Sequence, residues 1–129
     1  MAKIKGLISP KEAKQLNDAF TKRCELISKE ITKRPDNRSS WYSIKELKAY
    51  LKHAKRQARE NGYKLNGVRI YCGAYPETKE GVGYSTSFIV PTARIIDGKD
   101  GGGGNGDIPD GDGLNGGQVG WPPGAGYPQ

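Results

Sequence analysis

Apolar residues recur at helical spacing in two stretches of the chain, and the first stretch opens with helix-capping residues. Ser9 is a good N-cap, Pro10 suits the first helical position and Glu12 completes a capping box. The pattern predicts a helix over about residues 10–33, which Pro35 ends. The apolar side chains on one face of this helix are Ala13, Leu16, Phe20, Cys24, Ile27 and Ile31.

A second helix is predicted from Ile44 to about Asn61, with Gly62 as its terminator. Ser43 and Glu46 have the spacing of a second capping box, and they directly precede the apolar periodicity. The residues expected to face the core are Ile44, Leu47, Leu51, Ala54 and Ala58.

The chain then changes to the alternating pattern of β-strands. Residues 68–75 form one predicted strand, and residues 84–90 form a second, which Pro91 ends. Because the two strands are close in sequence, we expect an antiparallel hairpin. Residues 40–42 are either a short edge strand, which would make the second helix a crossover between parallel strands, or the lead-in to that helix. The apolar side of the first strand is Val68, Ile70, Cys72 and Ala74.

These elements predict an α+β fold, with two helices packed on a small two- or three-stranded, mainly antiparallel sheet. Residues 1–96 would form this domain. Residues 97–129 include 13 Gly and 4 Pro among 33 positions and few apolar side chains, so we expect a flexible, disordered tail.

Charge divides along the same boundary. Residues 1–96 carry 20 Lys and Arg against 9 Asp and Glu, a net charge of +11, whereas residues 97–129 carry one Lys against five Asp, a net charge of −4. A basic body indicates an acidic partner, such as nucleic acid or an acidic protein, or serves solubility alone. The acidic tail could also fold back onto the body as a weak internal competitor.

The second helix concentrates its positive charge on one side. At about 100° per residue, its six cations occupy one continuous strip beside the expected core, and no acidic residue of the helix lies within that strip. Such segregation favours an anionic partner, while the alternative is a solvated face whose aliphatic stems cover apolar surface. We call these residues the cation strip: Lys45, Lys48, Lys52, Lys55, Arg56 and Arg59.

Two further surfaces are candidates for binding. Arg69, Tyr71, Tyr75 and Tyr84 would place a cation and aromatic rings on the hairpin, where they could stack bases or complete the second face of the sheet. In the tail, Trp121 and Tyr127 beside prolines could form a short docking motif on a tether.

The sequence gives little support to catalysis or metal binding. His53 is the only histidine, and the chain has no CxxC motif, so we expect no metal site and no cofactor. Residues 107–115 carry several oxygen ligands but do not match the EF-hand spacing. No apolar segment has the length of a secretory signal or a membrane span, which suggests a cytoplasmic protein.

Several short motifs together resemble a group of short bacterial proteins to which no function is assigned. They are the sequences WYS at 41–43, GVRIY at 67–71, AYP at 74–76 and FIVPT at 88–92. The resemblance covers about residues 40–92 and implies that this stretch is one structural unit. It implies no catalytic residues.

The sequence therefore predicts a non-catalytic binding module that engages an anionic partner, with nucleic acid as the leading candidate, through the basic second helix. The alternative is an accessory protein that docks a larger protein through its hairpin surface or its C-terminal tail. The oligomeric state stays open.

Overall fold

The computed structural model describes residues 4–94, 104–116, 118–119 and 124–129. Two α-helices and a three-stranded antiparallel sheet place the chain in the predicted α+β class. In chain order the elements are α1 (Pro10–Leu26), a π-helical turn (Ile27–Ile31), β1 (Ser40–Trp41), α2 (Ile44–Glu60), β2 (Leu65–Ala74), β3 (Ser85–Arg94), β4 (Asn105–Asp107) and β5 (Gln118–Val119).

The described residues divide into two compact units. The first, here called the helix unit, comprises the described parts of Met1–Ser39, Tyr75–Ser85 and Val119–Gln129. The second, here called the sheet unit, comprises the described parts of Ser40–Ala74 and Thr86–Gln118.

The helix unit begins with the predicted capping box. The Glu12 amide donates to the Ser9 hydroxyl at 3.1 Å, and the Ser9 amide donates to the Glu12 carboxylate at 3.2 Å. The helix continues through its π-helical turn to Ile31, close to the predicted end. Its apolar face is present, but no residue of α1 is buried.

A buried carboxylate ties the segment after α1 to the first residue of β3. Asp36 accepts hydrogen bonds from the Ser85 amide at 2.8 Å and from the Ser85 hydroxyl. Its own amide donates to the Ser28 hydroxyl at 3.1 Å. The two bonds from Ser85 satisfy a buried polar side chain whose removal from water would otherwise be costly.

The sheet unit has the strand order β2-β3-β4, so the predicted hairpin strands are neighbours and β4 is added on the far side of β3. Thr92 pairs with Asp107 and Arg94 with Asn105. Strand β1 lies in a separate two-stranded sheet with β5, so the interpretation of α2 as a crossover between parallel strands is wrong.

Strand β3 continues through Pro91 to Arg94, so the predicted end at Val90 is wrong. The Ile89 amide donates to the Leu114 carbonyl, and the Pro91 carbonyl accepts from the Ile108 amide. The backbone polar groups of Ile89 and Pro91 therefore point to the same edge of β3.

Pro91 lies opposite Ile108, next to the Thr92–Asp107 pair, so its missing N–H removes one bond at the end of the β3–β4 pairing. The Ile108 carbonyl that would have accepted this bond accepts instead from the Gly111 amide at 3.1 Å, so the proline is tolerated at this position.

The core of the sheet unit lies between α2 and β3. One cluster contains Tyr50, Ala54 and Ile89, and a second contains Ala58, Ala93 and Ile108. Of the core positions expected on α2, Leu47 is partly buried.

Several positions expected in the core are exposed instead. Ile44 and Leu51 remain 67% and 44% exposed, because α2 turns Tyr50 rather than these two side chains towards β3. On β2 the apolar side is exposed as well, since β2 is an edge strand and the buried clusters lie on its neighbour β3. The exposed residues of this side are Val68, Ile70, Cys72 and Ala74.

Part of the expected tail belongs to this core. Residues 104–116 contribute β4, the buried Ile108 and a bridge between Leu114 and Ile89, instead of the predicted disorder. A Cβ at Gly111 would lie 2.7 Å from Pro91 Cγ, so a glycine here permits close packing. The rest of the predicted tail is described only at 118–119 and 124–129.

Candidate functional site

The cation strip lies on a helix whose start is fixed locally. Ser43 caps α2 by accepting a hydrogen bond from the Glu46 amide at 2.9 Å, which is one half of the predicted capping box. Tyr50, Ala54 and Ala58 hold the opposite side of α2 against the core. The cap and the core face together determine which side of the helix meets solvent.

All six residues of the cation strip are exposed. In the described part of the chain, none of them forms a salt bridge. Arg56 Nη2 lies 3.4 Å from His53 Nδ1, which is a long hydrogen bond within α2. The strip is therefore available to an external anion over its whole length.

Two exposed apolar side chains border the strip. Because the buried face of α2 centres on Ala54 rather than on Leu51, Ile44 and Leu51 lie between the core and the cations. The helix thus presents a cationic surface with an aliphatic margin, and the described residues place no aromatic side chain of α2 within it.

The acidic segment 104–116 contacts the other flank of α2. Asp112 accepts a hydrogen bond from His53 Nε2 at 2.9 Å, and its amide donates to the Gln57 side chain at 2.9 Å. Hydrogen bonds from His53 and then Gln57 lower the pKa of Asp112. The Tyr50 hydroxyl donates to the Asp112 carbonyl at 2.8 Å. In the described residues this segment therefore anchors to α2 without covering the cation strip.

An open groove of about 590 Å³ forms where this segment meets α2. Ala49, Tyr50 and Leu114 supply apolar surface, while Glu46 and the His53–Asp112 pair supply polar groups. A histidine held by a carboxylate can act as a base, but among the described residues no serine, threonine or cysteine lines the groove as a nucleophile. The pairing was not visible in the sequence because the two residues are 59 positions apart.

The structure divides the four hairpin candidates between the two units. Arg69 and Tyr71 lie together in the sheet unit, and both contact Asp107 of β4. Arg69 Nη1 and the Tyr71 hydroxyl each lie 2.5 Å from a different oxygen of this carboxylate. The Tyr71 ring also stacks on Phe88, with ring centroids 5.3 Å apart. The polar groups of this surface are thus already engaged within the chain.

These contacts shift the pKa values of both acidic partners. Donation to Asp107 raises the pKa of Tyr71, because loss of its proton would place two negative charges side by side. The hydrogen bond from Tyr71, together with that from Arg69, lowers the pKa of Asp107. The carboxylate therefore stays ionised to a lower pH than an ordinary aspartate.

Tyr75 and Tyr84 lie in the helix unit. The Tyr75 amide donates to the Tyr84 carbonyl at 3.0 Å, and the Arg34 guanidinium lies 4.0 Å from the centre of the Tyr84 ring. Arg34 also donates to the Val82 carbonyl at 2.6 Å. The Tyr84 ring therefore carries a cation–π contact, which the sequence analysis did not anticipate.

Of the two tail residues proposed for docking, Trp121 lies outside the described residues. Tyr127 lies in the helix unit, where its amide donates to the Asn17 side chain at 2.9 Å. Arg38 also donates to the Asn17 side chain, at 3.1 Å. The end of the described chain is thus bound to α1, while the Tyr127 side chain remains partly exposed.

The Asp107 contact predicts a pH-dependent attachment of β4. Because the folded-state pKa of Asp107 is lowered, its stabilising contribution is complete above the ordinary value of 3.8 and is lost as the pH falls through the lowered value. We expect Asp107→Asn to speed amide exchange at residues 105–108 at neutral pH, and the difference from the wild type to shrink as the pH falls through the lowered pKa of Asp107. Hydrogen exchange followed by mass spectrometry measures this.

Asp110→Asn is the matched control, since it removes an exposed carboxylate from the same segment. Its exchange should follow the wild type at every pH. Equal exchange in the Asp107→Asn variant and the wild type at neutral pH would show that the Asp107 contacts do not hold β4.

Comparison of the chain with protein-family models, curated proteins and solved structures finds no match in any of the three. No helix in the described residues is long and apolar enough to cross a membrane.

Proposed function

We propose that the protein is a binding module for nucleic acid, and that it contacts the phosphate backbone through the cation strip of α2. The observation that carries the proposal is the exposure of all six cations on one side of one helix, without a salt bridge among the described residues. Like charges on a single strip repel one another, so an anion that bridges them gains more than it would from scattered cations.

The length of the strip suits a polyanion of regular charge spacing. From Lys45 to Arg59 the helix rises about 21 Å, which matches about six base pairs of duplex. The aliphatic margin of Ile44 and Leu51 offers no group that reads base edges by hydrogen bonding. The proposed contact is therefore independent of sequence, and its strength depends on charge.

We favour duplex over single-stranded nucleic acid because the Tyr71 ring of the hairpin surface is already engaged within the chain. A single strand needs aromatic rings on which bases can stack. Tyr71 already stacks on Phe88, and its hydroxyl is bound to Asp107. The cation strip itself provides charge alone.

A salt titration tests this function. Fluorescence anisotropy with a labelled mixed-sequence duplex should show that the logarithm of the affinity falls linearly with the logarithm of the salt concentration. The slope should be no steeper than about −5, the value for six phosphate contacts. We expect the affinity to fall about 10²–10³-fold between about 50 and 200 mM salt and to be equal for unrelated sequences.

Polyglutamate serves as the competitor that represents an acidic protein. Displacement of the duplex by polyglutamate at equal charge concentration would favour an acidic protein partner over nucleic acid. Absence of any binding at about 50 mM salt, where phosphate contacts are strongest, would refute the proposed function.

A further inference from the structure

The edge strand β2 lacks the features by which proteins usually protect a free sheet edge. It lies at the end of the order β2-β3-β4 and is ten residues long. Edges are commonly blunted by lysine, proline or shortness. The sequence Leu65–Ala74 contains neither lysine nor proline, and its one charged residue is Arg69.

Arg69 does not protect the edge either, because its charge is already compensated. Its guanidinium pairs with Asp107 at 2.5 Å and donates to the Asn105 carbonyl at 2.7 Å. Both contacts lie within the sheet unit. A strand approaching this edge would therefore meet no unpaired charge among the described side chains of β2.

The other side of β2 presents a row of exposed apolar side chains. Val68, Ile70 and Cys72 alternate along the strand and so point to the same side of the sheet. Ile70 is 68% exposed and occupies the centre of this row.

The strand is complementary to a second copy of itself. If two β2 strands pair antiparallel about an axis at Ile70, then Ile70 opposes Ile70 of the second copy and Val68 opposes Cys72 of the second copy. On the polar side Arg69 opposes an aromatic ring, Tyr71 of the second copy. An axis at Arg69 would instead place two arginines opposite each other, which disfavours that register.

We propose that the protein forms a symmetric dimer through β2, in which two three-stranded sheets join into one sheet of six strands. The occupant of the free edge is a second copy of this chain, in the register centred on Ile70. The dimer brings the two apolar rows into cross-strand contact and removes the exposed β2 edge of each copy.

The first test is the mass in solution. We expect the wild type to approach twice the chain mass of 14.0 kDa in sedimentation as its concentration rises. Ile70→Lys places two ammonium groups at the axis and should give a monomer, whereas Leu16→Lys, a control at an exposed apolar residue of α1, should behave as the wild type. Circular dichroism confirms that each variant is folded.

A wild-type monomer at all concentrations would overturn the proposal and leave the edge to another protein's strand. A dimer that Leu16→Lys dissociates and Ile70→Lys leaves intact would also overturn it, because the interface would then lie on α1.

The second test determines the register. In a Cys24→Ser, Cys72→Ser background, Ile70→Cys should form a disulfide between two copies under mild oxidation, because opposed residues lie within about 5.5 Å between Cα atoms. Val68→Cys in the same background should not, because the two copies of residue 68 would lie about 14 Å apart.

Retaining Cys72 in the Val68→Cys variant should restore cross-linking, since those two residues oppose each other. Equal cross-linking of Ile70→Cys and Val68→Cys in the cysteine-free background would contradict the register, as would its absence from both.

Discussion

Ile108→Ala is expected to destabilise the sheet unit by about 3 kcal/mol, a large effect for one side chain of a segment rich in glycine. Ile108 is 5% exposed and packs with Ala58 and Ala93. These two neighbours are already small, so they cannot extend into the space that the substitution leaves. Urea denaturation followed by circular dichroism measures the change as a lower unfolding midpoint.

Ile4→Ala is the matched control for Ile108→Ala, because Ile4 is 69% exposed. Its free energy of unfolding should change by less than about 0.5 kcal/mol. If the Ile108→Ala variant unfolds at the same urea concentration as the wild type, residues 104–116 do not contribute to the core.

Neutralising half of the cation strip is expected to weaken nucleic-acid binding about 10²-fold at about 100 mM salt. The variant Lys48→Gln, Lys52→Gln, Arg59→Gln removes three of the six cations, and glutamine preserves helix propensity. The salt dependence of binding should also flatten, with the slope changing by about 2.7, because fewer counterions are released. Fluorescence anisotropy over a range of salt concentrations measures both quantities.

The control removes the same charge from outside the strip, with Lys11→Gln, Lys22→Gln and Lys29→Gln at exposed positions of the helix unit. We expect its salt slope to equal that of the wild type. Lys14 is left in place because it pairs with Asp18 at 2.6 Å. Equal losses in the two triple variants would mean that binding follows net charge, and that the strip has no special role.

Both helices were predictable from the sequence because their signals are local. Ser9 with Glu12 at the start of α1, and Ser43 with Glu46 at the start of α2, satisfy backbone groups within one turn. The end of β3 was not predictable in this way. Whether Pro91 breaks a strand depends on how the carbonyl opposite its missing N–H is satisfied, and that is decided by residues far along the chain.

The fate of the glycine-rich segment could not be predicted from composition. Ile108 and Leu114 are isolated apolar residues in their neighbourhood, so no periodicity reveals that they pack against Ala93 and Ile89. Gly111 lies against Pro91, where a side chain would not fit. The glycine at this position therefore permits close packing and does not indicate a flexible backbone.

The candidate site, too, could be predicted from the sequence only in part. Periodicity alone placed six cations on one side of α2, because positions on a helix follow from its geometry. It put Ile44 and Leu51 in the core, however, since nothing local showed that Tyr50 faces β3. The engagement of Arg69 and Tyr71 by Asp107 was equally invisible, because these contacts span 38 and 36 positions.

The place of Ile108 and Leu114 along the chain also determines when the sheet unit can fold. During synthesis α2, β2 and β3 are made first. Part of the apolar surface of Ile89 and Ala93 stays uncovered until Leu114 and Ile108 have been synthesised. Pairings between distant segments form slowly, because the entropy of closing the loop is lost before the stabilising contacts have formed. A nascent chain that stops before residue 105 would therefore expose the edge of β3 together with part of its core, and such an intermediate is prone to aggregate.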